Sequence, residues 1–146
     1  MSKKTDREVI EKKLENMRVL LVELSRWTDV DFKKFESSSE LIRASERNVE
    51  ILVELASDIN AIIIFNHTVK TIDTYRESFE WLEKLGILNA ELSKNLIDTV
   101  KLRNALVHEY DFELDSEKFY QSIKTVYIQS YKAYIENIFS NISNNL

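Results

Sequence analysis

An all-α bundle of about five antiparallel helices is the fold this sequence predicts, on three observations. Among 146 residues there is no proline and a single glycine, Gly86, so almost nothing is present to break a helix. Charged residues make up 31% of the chain, and Leu, Ile, Glu and Lys are abundant, the composition of helical proteins. Apolar residues recur at steps of three and four rather than two. The length suits one domain, residues 1–146, large enough to bury a core without covalent staples.

The first helix is expected over Asp6 to Trp27, where Ile10, Leu14, Met17, Leu21 and Leu24 fall on one face. A polar link follows and ends at Ser37-Ser38-Ser39-Glu40. Ser37 and Glu40 have capping-box spacing ahead of Leu41. The second helix is expected over Ser39 to Asn66. Its stripe of Leu52, Leu55, Ile59 and Ile62 is widened by Val49, Val53, Ala56 and Ile63, more than one neighbouring helix would cover. Two neighbours, or one neighbour and a second subunit, would account for that width. Thr74 and Glu77 form another capping pair and open a short helix from Tyr75 to Leu85, after which Gly86 suits a left-handed helix end. Asn89 caps a fourth helix that carries Leu92, Leu96, Val100 and Val107. Residues Asp111 to Asp115 read as a link. A last helix runs from Ser116 to Ile142 with Phe119, Ile123, Val126, Tyr134 and Ile138 available for packing, and the tail from Ser143 to Leu146 is expected to fray.

Composition excludes several classes. There is no cysteine, hence no disulfide framework and no thiolate metal site. The basic start, Lys3-Lys4, leads into a charged helix rather than a signal-peptide apolar stretch, and no apolar run approaches the roughly eighteen residues of a membrane span. A cytoplasmic location with no membrane association is the expectation. The net charge of −5 argues against a general nucleic-acid scaffold, but leaves room for a small local RNA site or a basic protein partner.

One string stands apart: Arg103-Asn104-Ala105-Leu106-Val107-His108-Glu109-Tyr110. Leu96, Val100, Arg103 and Val107 step by four, three and four, so Arg103 lies on the apolar stripe. A guanidinium there needs a carboxylate, a phosphate or water to offset its desolvation. His108 follows five residues later, about 140° further around a regular helix. Either the helix ends between them, or a second chain completes the site. Near a helix C-terminus, His108 would also feel a dipole that favours its protonated form. Arginine and histidine suit metal-free phosphodiester cleavage. The histidine transfers a proton near neutral pH, the arginine stabilises charge developing on the phosphate, and RNA supplies its own 2′-hydroxyl nucleophile. Asn104 could orient the phosphate or the histidine. Two histidines, His67 and His108, do not make a metal site, and none is expected. On spacing alone, a salt-bridged structural arginine is the commoner reading.

The string Arg103-Asn104-x-Leu106-Val107-His108-x-Tyr110 resembles the R-x4-H-x-Y signature of HEPN proteins, specifically the HepT-like toxins. The block from Tyr75 to Leu88 is also similar to that family, as is Glu46-Arg47 followed by Glu54 and Ile59. The resemblance covers about residues 40 to 125. It implies a HEPN-type helical bundle that forms a homodimer, with an R-x4-H motif from each subunit meeting in a composite cleft. It implies a metal-independent endoribonuclease acting as a toxin, with Arg103, His108 and Asn104 as its catalytic residues. It further implies an MntA-type nucleotidyltransferase antitoxin that transfers AMP from ATP to Tyr110. No cofactor is expected for this chain; ATP and Mg²⁺ would serve the partner. The added phosphodiester beside Arg103 and His108 would exclude RNA by bulk and by charge.

Other residues are weighed on helical spacing. Arg47, Glu54 and Asp58 fall within about 40° of one another on the second helix. They make either a polar cluster facing the cleft, with Asp58 the first candidate to hold Arg103, or a solvated helix edge. Tyr120, Tyr127, Tyr131 and Tyr134 suit core or dimer packing better than base stacking. His67 suits a helix end, and Lys12-Lys13 a solvated surface. Two further functions stay open: a non-catalytic helical module that binds a minimal nucleotidyltransferase, and an RNA-binding regulator that uses the same cleft without cutting.

Overall fold

The breadth of apolar surface on the longest helix determines the architecture. A computed structural model of the chain describes residues 4–108 and 115–145. The elements are α1 (Asp6–Trp27), α2 (Phe32–Glu36), α3 (Ser39–Thr68), α4 (Tyr75–Lys84), α5 (Ala90–His108), α6 (Ser116–Ser122) and α7 (Ile128–Asn145). A π-helical turn, Ile123–Tyr127, joins the last two into one rod. No strand occurs among the described residues. Helix α3 packs against α1, α4 and α5 at once, so its own chain covers the wide stripe of Val49, Leu52, Val53, Ala56, Ile59 and Ile63. Helix α7 closes the bundle against α1 and α5. None of the described helices is long and apolar enough to cross a membrane.

The local signals act as physical chemistry requires. In α1, Ile10, Leu14, Met17, Leu21 and Leu24 are buried, and the Thr5 hydroxyl accepts the Glu8 N–H at the N-cap. The Thr74 hydroxyl accepts the Glu77 N–H at 3.1 Å, and Asn89 Oδ1 accepts the Leu92 N–H at 2.8 Å. Gly86 sits at φ +77°, in the left-handed region.

Four expectations need correction. The polar link after α1 holds a short helix, α2, capped by Asp31 and anchored by buried Phe35. The cap of α3 is Ser38 rather than Ser37: the Ser38 hydroxyl accepts the Leu41 N–H, and Ser37 instead ends α2. Helix α3 runs to Thr68 and turns at Val69, a β-branched residue held at φ 57°. The final helix carries a π turn and continues to Asn145 rather than fraying from Ser143.

The tyrosines of the last helix are core residues that also fasten elements together. Tyr127, Tyr131 and Tyr134 are buried. The Tyr127 hydroxyl donates to the Val49 carbonyl at 2.7 Å, and Tyr131 shares a 2.8 Å bond with Thr99. Tyr120 donates to the Val30 carbonyl and so ties α6 to the segment that follows α1. Burial raises the pKa of Tyr127, Tyr131 and Tyr134 by disfavouring the phenolate. His67 lies in the last turn of α3 with Nδ1 2.9 Å from the Ile63 carbonyl, the helix-end role its position suggested.

Candidate functional site

Helix α5 delivers Arg103 to a cleft between α3, α4 and α5. Its walls are Ser57, Val100, Arg103, Asn104 and the segment from Ile72 to Arg76, around about 420 Å³. Leu96 and Val100 are buried on the same stripe, and that register carries Arg103 inward, leaving its side chain 13% exposed. The predicted conflict between an apolar face and a guanidinium is therefore real, and three contacts resolve it. Arg103 Nη2 lies 3.5 Å from Glu54 Oε1 on α3. Arg103 Nη1 donates to Asn104 Oδ1 at 3.4 Å. The guanidinium carbon stands 4.8 Å from the centroid of the Tyr75 ring, a cation–π arrangement.

These contacts hold the guanidinium without saturating it. The two polar distances are long for charge-assisted bonds, which usually fall near 2.7–2.9 Å. The Nε–H is buried and has no hydrogen-bond partner among the described residues. A planar fork with spare donors at the wall of an open cleft is suited to a tetrahedral oxyanion such as a phosphate.

The structure separates the three α3 residues that helical spacing had grouped. Glu54, not Asp58, is the carboxylate at Arg103. Asp58 instead pairs with Lys13 of α1 at 3.3 Å and its side chain is 60% exposed, while Arg47 pairs with Glu50 at 3.0 Å along its own helix. One helical turn decides this, because position 54 borders α5 whereas position 58 borders α1. Helix α5 continues without a break through Arg103 to His108, so the helix does not end between them. The two positions are thus about 140° apart around one axis. The side chains of Val107 and His108, and all of Tyr110, lie outside the described residues.

Tyr75 is the site residue that sequence reasoning passed over. It opens α4, and its backbone is fixed by a buried relay from the far side of the bundle. The Tyr134 hydroxyl donates to Asn60 Oδ1 at 2.6 Å, Asn60 Nδ2 donates to Ser78 Oγ at 3.0 Å, and Ser78 Oγ donates to the Tyr75 carbonyl at 2.7 Å. Tyr134, Asn60 and Ser78 are all fully buried. Each polar group in the relay is satisfied, so α7, α3 and α4 are locked in a register that sets the ring beneath Arg103. The available signal was an aromatic residue directly after the Thr74 cap, within a block already similar to the HepT-like pattern.

Comparison with known proteins places this architecture. A family model described as ribonuclease HepT-like matches residues 10–138. A tRNA nuclease HepT of Aphanizomenon flos-aquae is 32% identical over 130 residues, 89% of this chain and 87% of that protein. Among solved structures, the tri-AMPylated HEPN toxin of Shewanella oneidensis, in complex with an MNT antitoxin, matches with a TM-score of 0.82. Its identity is 22%, over 90% of this chain and 97% of that chain. The cytosolic protein YutE of Bacillus subtilis matches with a TM-score of 0.81 at 21% identity, over 97% of this chain and 93% of that one. At such identities the structural likeness speaks for the fold. With most of its length matched both by the family model and by a curated relative, the chain belongs to the HepT-like family of HEPN proteins.

Proposed function

We propose that this chain is the toxin of a toxin–antitoxin pair, an endoribonuclease that works without a metal ion. The carrying observation is Arg103, a largely buried, incompletely bonded guanidinium at the wall of a cleft, on a helix that runs unbroken to His108. In this reading the RNA 2′-hydroxyl attacks the adjacent phosphorus and the bond from phosphorus to the 5′-oxygen breaks. His108 moves the proton, Arg103 stabilises the charge gathering on the phosphoryl oxygens, and Asn104 orients the phosphate. Because the two positions diverge around α5, the site draws its second half from another copy of the chain, as a homodimer. The relative named a tRNA nuclease supports an RNA substrate.

The off-switch in this reading is Tyr110. An MntA-type nucleotidyltransferase transfers AMP from ATP to the phenol oxygen. The α–β phosphoanhydride bond breaks, the oxygen–phosphorus bond forms, and pyrophosphate leaves. The AMPylated HEPN toxin bound to its antitoxin among the structural neighbours supports such a partner. The adduct sets an anionic phosphodiester two residues from His108, where it repels RNA.

Purified protein, titrated with RNA in the presence of a chelator, tests the chemistry. Arg103→Ala and His108→Ala should each abolish cleavage while the oligomer and its helical signal persist. Normal cutting by both variants would remove the proposed chemistry. Tight partner binding with no cleavage by unmodified wild type would favour a non-catalytic module. Intact-mass spectrometry after co-expression with the partner should show AMP additions that vanish in Tyr110→Phe; unchanged adducts on that variant would move the modification elsewhere.

A further inference from the structure

A second constellation lies beside the cleft, on the loop after α3 and the outer side of α4. Lys70 Nζ stands 4.7 Å from the centroid of the Trp81 ring, and Lys84 Nζ stands 4.8 Å from it. Acidic residues outnumber basic ones by 25 to 20 in this chain, and α4 itself carries Glu77, Glu80 and Glu83. Yet neither lysine has a carboxylate within ion-pair distance among the described residues; Glu80 pairs with Arg76 instead. Both lysines are exposed and Trp81 is half-buried. Two ammonium groups are thus gathered on one indole, against the charge of the whole molecule.

The location connects this cluster to the cleft. Lys70, Thr71 and Ile72 line a hollow with Ala61, Ile62 and Phe65. Ile72 also stands in the wall of the Arg103 cleft, followed by Asp73, Thr74, Tyr75 and Arg76. One short segment, 70–76, therefore runs from Lys70 to the wall of the Arg103 cleft. Along α4, Trp81 is six residues beyond Tyr75, about 9 Å of helix axis. The local counter-charges are Asp6, which bonds Asn66 at 3.0 Å, Asp73 in the cleft wall, and Glu77, Glu80 and Glu83 along α4, of which Glu80 pairs with Arg76.

We infer that Lys70, Trp81 and Lys84 form an RNA-contacting site that holds single-stranded nucleotides flanking the phosphate at Arg103. The inference rests on RNA being the ligand of the cleft. Lysines supply phosphate contacts, and an indole supplies a stacking face that accepts any base, the pairing by which single strands are held without sequence preference. An acidic segment of a partner protein would use the lysines but has no need of the indole, on which a base can stack.

The test uses the full-length chain. Trp27→Phe leaves Trp81 as the sole tryptophan, because the sequence holds two. A 2′-O-methyl RNA oligomer, which lacks the internal nucleophile, is titrated while Trp81 emission is followed. Binding should quench the emission. Lys70→Gln/Lys84→Gln should weaken binding several-fold and reduce the salt slope by about 1.4, from about 0.7 for each of two phosphates. In cleavage of unmodified RNA, the double variant should raise KM for a long strand and leave a minimal dinucleotide unaffected. Unchanged emission at saturating RNA, or wild-type affinity and slope in the double variant, would overturn the site. Loss of nucleotidyltransferase binding with RNA affinity intact would also overturn it, in favour of a protein-docking surface. Quenching and slope that persist in a wild type unable to cut RNA would sink the ribonuclease reading and leave this contact standing. Cleavage that the double variant leaves unaltered on every substrate would do the reverse.

Discussion

Tyr134→Phe should cost this protein far more than the loss of one oxygen suggests. The Tyr134 hydroxyl is the donor for Asn60 Oδ1, at 2.6 Å, in a fully buried setting. Removing it leaves the amide oxygen without a donor, which costs about 2 kcal/mol, within the usual range of about 1–3 for an orphaned buried group. The unfolding entropy near the midpoint is about 2.1 cal/mol/K per residue, or about 0.3 kcal/mol/K over this chain, so Tm should fall by about 6–7 °C. Asn60→Leu alone should cost less. Without Asn60, Tyr134 can turn to the Ala56 carbonyl, which it already approaches at 3.1 Å, and Ser78 keeps its bond to the Tyr75 carbonyl. The double variant leaves no orphan, so its loss should fall short of the sum of the singles by about 1 kcal/mol or more. Urea and thermal unfolding, followed by circular dichroism at one fixed protein concentration, measure all three. Single losses that add to within about 0.5 kcal/mol would refute the relay as a coupled unit.

Three further outcomes follow from particular residues. Glu54→Gln keeps the shape beside Arg103 but removes the competing charge. RNA KM and kcat should both fall, with stability within about 1 kcal/mol of wild type; steady-state kinetics with neither constant changed would show that Glu54 has no hold on Arg103. The raised pKa values of Tyr127, Tyr131 and Tyr134 contribute stability that is fully present below the unfolded value near 10 and is lost as pH rises toward the folded values. Their tyrosinate absorbance should therefore appear only together with loss of helical signal, and tyrosinate from these three in an intact fold would contradict their burial. Val69, 73% exposed at φ 57°, and Gly86, at φ +77° with open space where a Cβ would stand, should respond oppositely. Val69→Gly should raise stability and Gly86→Ala should lower it, each by about 1 kcal/mol in thermal unfolding; a fall for Val69→Gly would deny the strain.

Legibility tracked the range of the interactions. Helix α1 was readable to the residue because its register, its Thr5 cap and its acidic first turn are all local. Helix α2 escaped because five residues hold no full apolar period, although Asp31 ahead of Phe32 and Phe35 was a usable sign. The burial of Arg103 was legible from its place between Val100 and Val107. Its carboxylate was not, since Glu54 and Asp58 share a helix edge and differ only in which neighbour each meets. Tyr75 is a contact between α4 and α5, so no periodicity within either helix could announce it.

The same distinction bears on the Arg103–His108 pair, where sequence geometry posed a choice that only the fold could narrow. A helix that ended after Arg103 would have let His108 swing back toward it. Helix α5 does not end there. Five unbroken helical residues hold the two positions about 140° apart, so one straight helix does not present both to a single phosphate from the same side. In the proposed homodimer, a symmetric partner with its own Arg103 and His108 would supply the missing direction, because a two-fold axis brings the same patch of both subunits together. If the purified protein cuts RNA as a monomer, that argument fails. If mixing Arg103→Ala chains with His108→Ala chains restores cleavage that neither shows alone, the site is shared across the interface.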